Sequence, residues 1–324
     1  MRRREFITLL GGVALTWSDA DAQPSGRVKH IGVLSVGNSP RIKEYLAAFQ
    51  RELELAGWSE GRNAQIDVRF ATPEQAYPRA QELAALQPDV ILACTTPAAL
   101  AVQRASRTIP IIFVAVSDPV GAGLVANLAR PGANLTGVLS FEDTITGKWL
   151  AMLKEIAPRL ERVALVANPK TSPYDYFLRA ARMVAPSLAI EIVSKPIESG
   201  EDIEETIASL ARMMSCGFVI TPDTTTSAHL DLIIALAARY RVPAVYFDRT
   251  FVSAGGLLSY GIDFVAHYRQ AAAYVDRILR GTKPADLPVQ APIKYETVLN
   301  LRAAKTLGLT VPPGLLVAAD EVIE

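Results

Sequence analysis

The stretch VILACTTPAAL, Val90 to Leu100, runs from an apolar, strand-like segment through two threonines and a proline into an Ala/Leu run that favours helix. Pro97 suits the first helical position, where the missing N–H has no partner to lose. The unit is strand, tight turn, helix. Whether TTP is only punctuation or a place that holds something depends on what surrounds it.

Outward from this unit the same alternation continues. HIGVLSV and AQIDVRF precede it, PIIFVAV and LTGVLSF follow, and amphipathic stretches near 41–56, 73–86, 97–107 and 120–128 lie between them. A helix from Thr144 then opens a second series of strands, RVALVAN, AIEIVSK, GFVITPD and VPAVYFD, with helices near 174–184, 203–213 and 227–240. Fully apolar strands linked by helices predict parallel sheets covered on both faces, an α/β, doubly wound arrangement. At this length two sheets of four or five strands each are expected, with the first boundary near Ser140. After GGLLSYGIDF come a long helix near 265–280, the turn-rich GTKPADLPVQAP and the extended IKYETVLN, so the chain is expected to return to the first lobe and leave it again. The expected lobes are 28–140 with 262–289, and 141–261 with 290–324.

Composition narrows the function classes. Half of the 324 residues are apolar, enough for a large core, and 33 Lys plus Arg balance 33 Asp plus Glu. A net charge of zero, with both signs dispersed, provides no basic field for nucleic acid or an anionic membrane. The start MRRREFITLLGGVALTWSDADAQ combines arginines, a short apolar run and Ala20-Asp21-Ala22. It predicts an export signal over residues 1–22, twin-arginine-like or general secretory, cleaved near Ala22 to leave a periplasmic protein. Cys94 and Cys216 are expected to be buried small hydrophobes, a single disulfide being the alternative.

GAGLVA, Gly121 to Ala126, fits the glycine fingerprint of a dinucleotide fold, with Glu142 about twenty residues on. It supports an alternative reading, an exported cofactor-dependent oxidoreductase. Against this, SDPV separates Gly121 from the strand, and Pro131-Gly132 stops any helix early. G-x-S-x-G does not occur, and His30, His229 and His267 are scattered and expected at the surface or at strand ends. No cofactor, metal or enzymatic chemistry is expected.

Small polar residues concentrate instead at the carboxyl ends of the strands, in SVGNS, CTTP, VSDP, ANPKTSPY, TPDTTT and YFDRT. Such residues also serve as ordinary helix N-caps. Their recurrence at the strand ends where parallel sheets bind ligands favours a hydrogen-bonding pocket for a small polar molecule. Thr95, Thr96 and Ser117 suit an anion, because helix N-termini offer unpaired amides. Asp223 and Asp248 suit a cationic group, and Tyr174, Phe247 and Tyr260 an apolar or aromatic part.

The chain also resembles the ABC-transporter substrate-binding proteins of the tryptophan/tyrosine type. The resemblance rests on RRREFITLLGG, IGVLSVG, TTPAALAVQRA, IPIIFVAVSDPVGAGLVANLARPGANLTGV, RVALVANP, GGLLSYGIDF, AAYVDRILRGTKPADLPVQ and NLRAAKTLGLTVPPGLLVAADEVI, in the family's order. It implies a type I periplasmic binding protein fold: two lobes joined by a hinge, with a solute held between them. It further implies a monomer serving an ABC permease and its ATPase, and places DPVGAGLV in a loop and helix after the fourth strand. Carried over by resemblance, the pocket residues are Ser35, Asn38, Thr95, Thr96, Ser117, Asp118, Asn168, Tyr174, Asp223 and Thr224. Several relatives have asparagine where this chain has Thr224. The expected ligand is an amino acid or similar small carboxylated solute. A ligand-sensing subunit of a signalling receptor would use the same pocket with a different partner.

Overall fold

In the computed structural model, which describes residues 27–324, Val90 to Cys94 form β3, buried along its whole length. Around it lie β1 (Lys29–Val36), β2 (Ala64–Ala71), β4 (Ile111–Val116) and β5 (Leu135–Leu139), all parallel, in the order β2-β1-β3-β4-β5. One face is covered by α1 (Pro40–Leu55), the other by α2 (Ala76–Ala85) and α3 (Thr96–Ala105). Ser39 caps α1 by accepting the Ile42 N–H, and Tyr45, Leu46, Phe49 and Leu53 form the buried stripe that turns this helix inward. The expected export signal lies outside the described residues.

The second lobe contains α4 (Ile145–Ile156), β6 (Arg162–Ala167), α5 (Tyr174–Val184), β7 (Glu191–Pro196), α6 (Gly200–Ala211), β8 (Cys216–Ile220), α7 (Thr224–Ala228), α8 (Leu230–Tyr240), β9 (Ala244–Tyr246), α9 (Arg249–Ser253) and β10 (Leu258–Ile262). Next in the chain are α10 (Phe264–Leu279), β11 (Tyr295–Asn300), α11 (Leu301–Thr306), α12 (Pro313–Ala318) and β12 (Glu321–Ile323). The second sheet has seven strands, β12-β11-β10-β9-β8-β6-β7, rather than the expected four or five. The excess arises because SYGI pairs as a strand in its own right, β11 adds antiparallel to it, and β12 extends the edge. Both lobes are α/β with parallel sheets covered on two faces, apart from that one antiparallel pair.

The chain crosses between the lobes after β5, before α10 and before β11. Helix α10 lies on the first lobe, where Tyr268, Ala271, Ala272 and Val275 join the core shared with α1 and β3. Gln290 then adds to the edge of β5, accepting the Leu139 N–H at 2.8 Å and donating to Gly137 O at 3.1 Å. The last two crossings are tied together by Asp263 N–H to Lys294 O at 3.1 Å and by the Lys294–Asp263 ion pair at 2.7 Å.

Two predicted helices are corrected. Residues 120–128 form successive turns, not a helix. Asp118 Oδ1 accepts the Gly121 N–H at 2.8 Å, and Leu124 and Val125 both donate back to Pro119 O. A Cβ on Gly121 would lie 2.1 Å from Asp118 Oδ2, so this glycine serves the Asp118 turn. The fingerprint therefore lacks the helix whose N-terminus a pyrophosphate needs. The second helix, 227–240, is broken at His229, which joins α7 to α8 and whose Nδ1 lies 3.0 Å from Thr225 O. Both cysteines are buried and free; burial pushes the Cys94 thiol up to about 12. His267 is not at the surface but 2% exposed, and burial lowers its pKa to about 3, which keeps the imidazole neutral. Among the described residues no helix is long and apolar enough to cross a membrane.

Candidate functional site

The carboxyl ends of the two sheets face a shared cavity of about 820 Å³. From the first lobe Ser35, Asn38, Thr95, Thr96 and Ser117 line it; from the second, Asp223, Thr224, Phe247 and Asp248. These expected residues, far apart in sequence, meet because each lies at or just beyond the carboxyl end of a strand in a parallel sheet.

The first lobe presents its groups on distorted backbone. Thr95 has φ +89°, a conformation that costs a β-branched residue of order 1–3 kcal/mol. Its N–H is fixed to Val114 O at 2.9 Å, while its buried Oγ1 has no hydrogen-bond partner. No side chain caps α3, and no acid stands in its first turn, so its amide end is electrostatically open to an anion. Next to it β4 is bulged: its pairing with β5 shifts register between Phe113 and Val116, and Ala115 has φ +59°. Bulges re-aim side chains, and here the bulge precedes Ser117.

In the second lobe Asp223 and Asp248 both cap short helices and are both 6% exposed, yet they differ in what remains free. Asp223 accepts the N–H groups of Asn168 at 3.0 Å, Thr225 at 3.0 Å and Thr226 at 3.1 Å, and the Thr171 hydroxyl. With both of its oxygens engaged, Asp223 braces the loop that carries Thr224, whose buried Oγ1 has no partner. Asp248 uses Oδ1 for the Thr250 N–H at 2.6 Å and the Thr250 hydroxyl; its Oδ2 is 3.5 Å from the Tyr45 hydroxyl of the other lobe. Burial, and next the nearby Asp248 charge, raise the Tyr45 pKa, so its hydroxyl stays a donor.

The structure does not bring Asp118, Asn168, Tyr174 and Tyr260 to the cavity wall. Asp118 turns away to hold Gly121. Asn168 stands behind Asp223, its side-chain amide donating to Thr225 Oγ1 at 3.0 Å. The Tyr174 hydroxyl is spent inside the second lobe on Leu165 O and Ser194 Oγ, both at 2.9 Å. Tyr260 stacks on Tyr295 with ring centroids 5.6 Å apart.

Of the aromatic wall, sequence reasoning found Phe247 and missed the rest. Tyr45, Phe141, Phe251, Phe264 and Tyr268 all line the cavity. Tyr45 stacks on Phe264 at 5.3 Å and lies 5.4 Å from Tyr268, while Phe141 meets Phe247 edge-on at 6.2 Å. Behind this wall His267 Nε2 is 3.3 Å from Ser140 Oγ, at the first crossing. Thus the cavity has a hydroxyl-rich lip at the strand ends, an aromatic side, and two buried acids on the second lobe.

A tyrosine-binding protein from Clostridioides difficile (strain R20291) is 27% identical over 289 residues, which cover 88% of this chain and 82% of that protein. Among solved structures, a conserved domain protein from Vibrio cholerae o1 biovar eltor str. n16961 superposes with a TM-score of 0.85 at 29% identity, over 91% of this chain and 100% of its own. The ABC domain in complex with L-Trp from Streptococcus pneumonia also superposes with a TM-score of 0.85, at 23% identity, over 91% of this chain and 99% of its own. This likeness bears on fold, which is that of the type I periplasmic binding proteins. Residues 30–323 match the family described as ABC transporter substrate binding protein. With that match spanning both lobes and every residue of the cavity wall, the chain belongs to the ABC transporter substrate-binding protein family.

Proposed function

We propose that this protein is the extracytoplasmic receptor of an ABC importer. It captures an amino acid or similar small carboxylated solute between its lobes and delivers it to a membrane permease driven by an ATPase. On this reading residues 1–22 direct export and are removed near Ala22, and the mature chain works as a periplasmic monomer without enzymatic chemistry.

The observation that carries the reading is the pair of buried, unpartnered hydroxyls, Thr95 Oγ1 and Thr224 Oγ1, one from each lobe, in the wall of one cavity. Buried polar groups without partners are rare because they cost free energy, and a solute that supplies the missing bonds is the natural compensation. The solute's carboxylate would lie at Thr95, Thr96 and the open end of α3, and its side chain along the aromatic wall. An amino acid is the first class to try, since the Clostridioides difficile relative binds tyrosine.

Closure around the solute would be the signal that the permease reads, because the solute favours the form in which both lobes contact it. Thermal-shift screening against amino acids, small carboxylates and aromatic solutes, followed by calorimetry, tests the binding step. A protein whose melting is unmoved by the whole panel overturns it. Genetic neighbours encoding a permease and an ATPase support the importer, whereas a neighbouring signalling receptor alone speaks against it.

A further inference from the structure

His267 is a polar group that the fold buries at a cost. It stands on α10 behind the cavity wall, 2% exposed, and its ring meets three residues that belong to the wall. The Ala115 N–H of β4 donates to Nε2 at 3.5 Å, Ser140 Oγ at the first crossing lies 3.3 Å from the same nitrogen, and the ring stands edge-on to Phe264 at 6.2 Å. A backbone N–H can only donate, so Nε2 is the acceptor and the neutral imidazole carries its proton on Nδ1. The acceptor nitrogen offers one lone pair; the Ala115 N–H and the Ser140 hydroxyl share it, which accounts for the length of both bonds. Nδ1 is buried without a partner among the described residues, so the ring leaves an N–H unpaired. An aliphatic side chain would fill the same space without that cost. What the imidazole adds is an acceptor for the bulge. The bulge needs one, because Ala115 has φ +59°, a left-handed backbone that a residue with a Cβ keeps only when its surroundings hold it there. Pairing of β4 with β5 slips between Phe113 and Val116, after which Val116 O accepts the Ser140 N–H at 2.8 Å and Ser117 enters the cavity wall.

We propose that His267 is a positioning residue for this cavity: by accepting the Ala115 N–H it holds the β4 bulge in the shape that presents Ser117, and it ties that bulge to Ser140, without itself touching the solute. Its effect on affinity rests on the reading that the cavity holds a small solute; its hold on the bulge exists in the apo protein. Because α10 starts at the second crossing and Ser140 stands at the first, the one ring also fixes two of the connecting segments to the strand end that carries Ser117.

Three variants of the full chain test this. His267→Gln can bring its Oε1 within reach of the Ala115 N–H, His267→Leu removes the acceptor and keeps the bulk, and Ser117→Ala removes the hydroxyl being presented. In the apo protein, amide exchange at Ala115 and Val116 should quicken at least about tenfold in His267→Leu and stay within about threefold of wild type in His267→Gln. L-tyrosine and L-leucine are then titrated calorimetrically. For whichever binds, His267→Leu should weaken affinity about three- to tenfold, with His267→Gln within about twofold of wild type. Adding His267→Leu to Ser117→Ala should cost less than about twofold more than Ser117→Ala alone, because the loss runs through that serine. A merely structural histidine would give losses that multiply in full, and that result overturns the proposal. So does unchanged exchange in His267→Leu, or equal affinity of the Gln and Leu variants. An imidazole proton found on Nε2 by nitrogen NMR of the wild type overturns it without any variant. A wild type that binds neither amino acid overturns the amino-acid reading instead, and the exchange result then upholds or overturns the hold on the bulge by itself.

Discussion

Replacing Thr95 with valine separates a ligand-binding hydroxyl from a structural one, because the two roles predict opposite signs. Valine keeps the β-branched shape and so the same strain at φ +89°. In the protein without solute, the Thr95 hydroxyl makes no hydrogen bond, so its loss breaks nothing within the fold. Removing a buried unsatisfied polar group relieves about 1–3 kcal/mol. For a chain of this size that corresponds to a rise of a few degrees in the apo melting temperature. With a solute carboxylate in place, the same hydroxyl donates a charge-assisted bond worth about 1.5–3 kcal/mol, roughly a ten- to hundredfold change in Kd. Thr95→Val should thus melt slightly higher alone and bind more weakly. Differential scanning calorimetry on the apo protein and titration with the best solute from the screen measure both. A lower apo melting temperature with unchanged affinity would refute the reasoning and make Thr95 a turn residue only.

Three other consequences concern stability. Asp223→Ala removes the acceptor for the Thr225 and Thr226 N–H groups and the link to Asn168, and should cost about 2–4 kcal/mol in denaturant unfolding; a loss below about 1 kcal/mol would mean the loop is held by other contacts. His267, held near 3 by burial against about 6.5 when unfolded, leaves stability untouched above the unfolded value. As pH falls from there toward 3 the unfolded chain gains a proton that the folded chain refuses, so stability should fall by about 1.4 kcal/mol per pH unit. His267→Gln should flatten that slope; an unaltered slope would show the proton is taken up elsewhere. Burial opposes ionisation of Asp89, but the His30 N–H at 2.9 Å and Lys29 at 3.0 Å outweigh it and hold its carboxyl below the usual range. Its contribution is therefore complete above about pH 3.9 and fades as pH drops through the lower folded value. Asp89→Asn should lose stability at neutral pH and lose less than wild type on acidification.

The strand ends were legible because the signal there is local: an apolar run stops and hydroxyls follow. That is enough to put Ser35, Thr95, Ser117, Asp223 and Asp248 on one rim. It does not give direction. Asp118 and Asn168 also follow strands, but a turn and a buttress take them elsewhere; Tyr174 opens α5 and is spent in a buried hydroxyl network, and Tyr260 lies within β10 in an aromatic stack. Apart from Phe247, the aromatic wall was illegible for the converse reason. Tyr45 belongs to a helical stripe with Leu46, Phe49 and Leu53, and such a stripe reads as core whichever residue faces the cleft. Phe264 and Tyr268 reach the site only because α10 returns to the first lobe, a non-local fact. The false helix at 120–128 had apolar spacing over too short a window to outweigh its glycines and the Asp118 turn.

On the proposed function, the placement of those aromatics would link binding to lobe movement. Phe141 follows Ser140 at the first crossing, and Phe264 follows Asp263 at the second. The rings contact one another with centroids 6.3 Å apart, and Asp263 is clamped to Lys294 at the third crossing. Part of the side of the cavity against which a solute's apolar part would pack, Phe141 and Phe264, is therefore built on the segments that connect the lobes. Polar groups at the lip, such as Thr95 and Thr224, can alter affinity without moving those segments. Phe141 and Phe264 cannot. Substituting Phe264 should change both the solute's contacts and the balance between open and closed forms. Its effect on affinity should then exceed the loss of packing area alone, whereas a loss matching that area would separate the wall from the hinge.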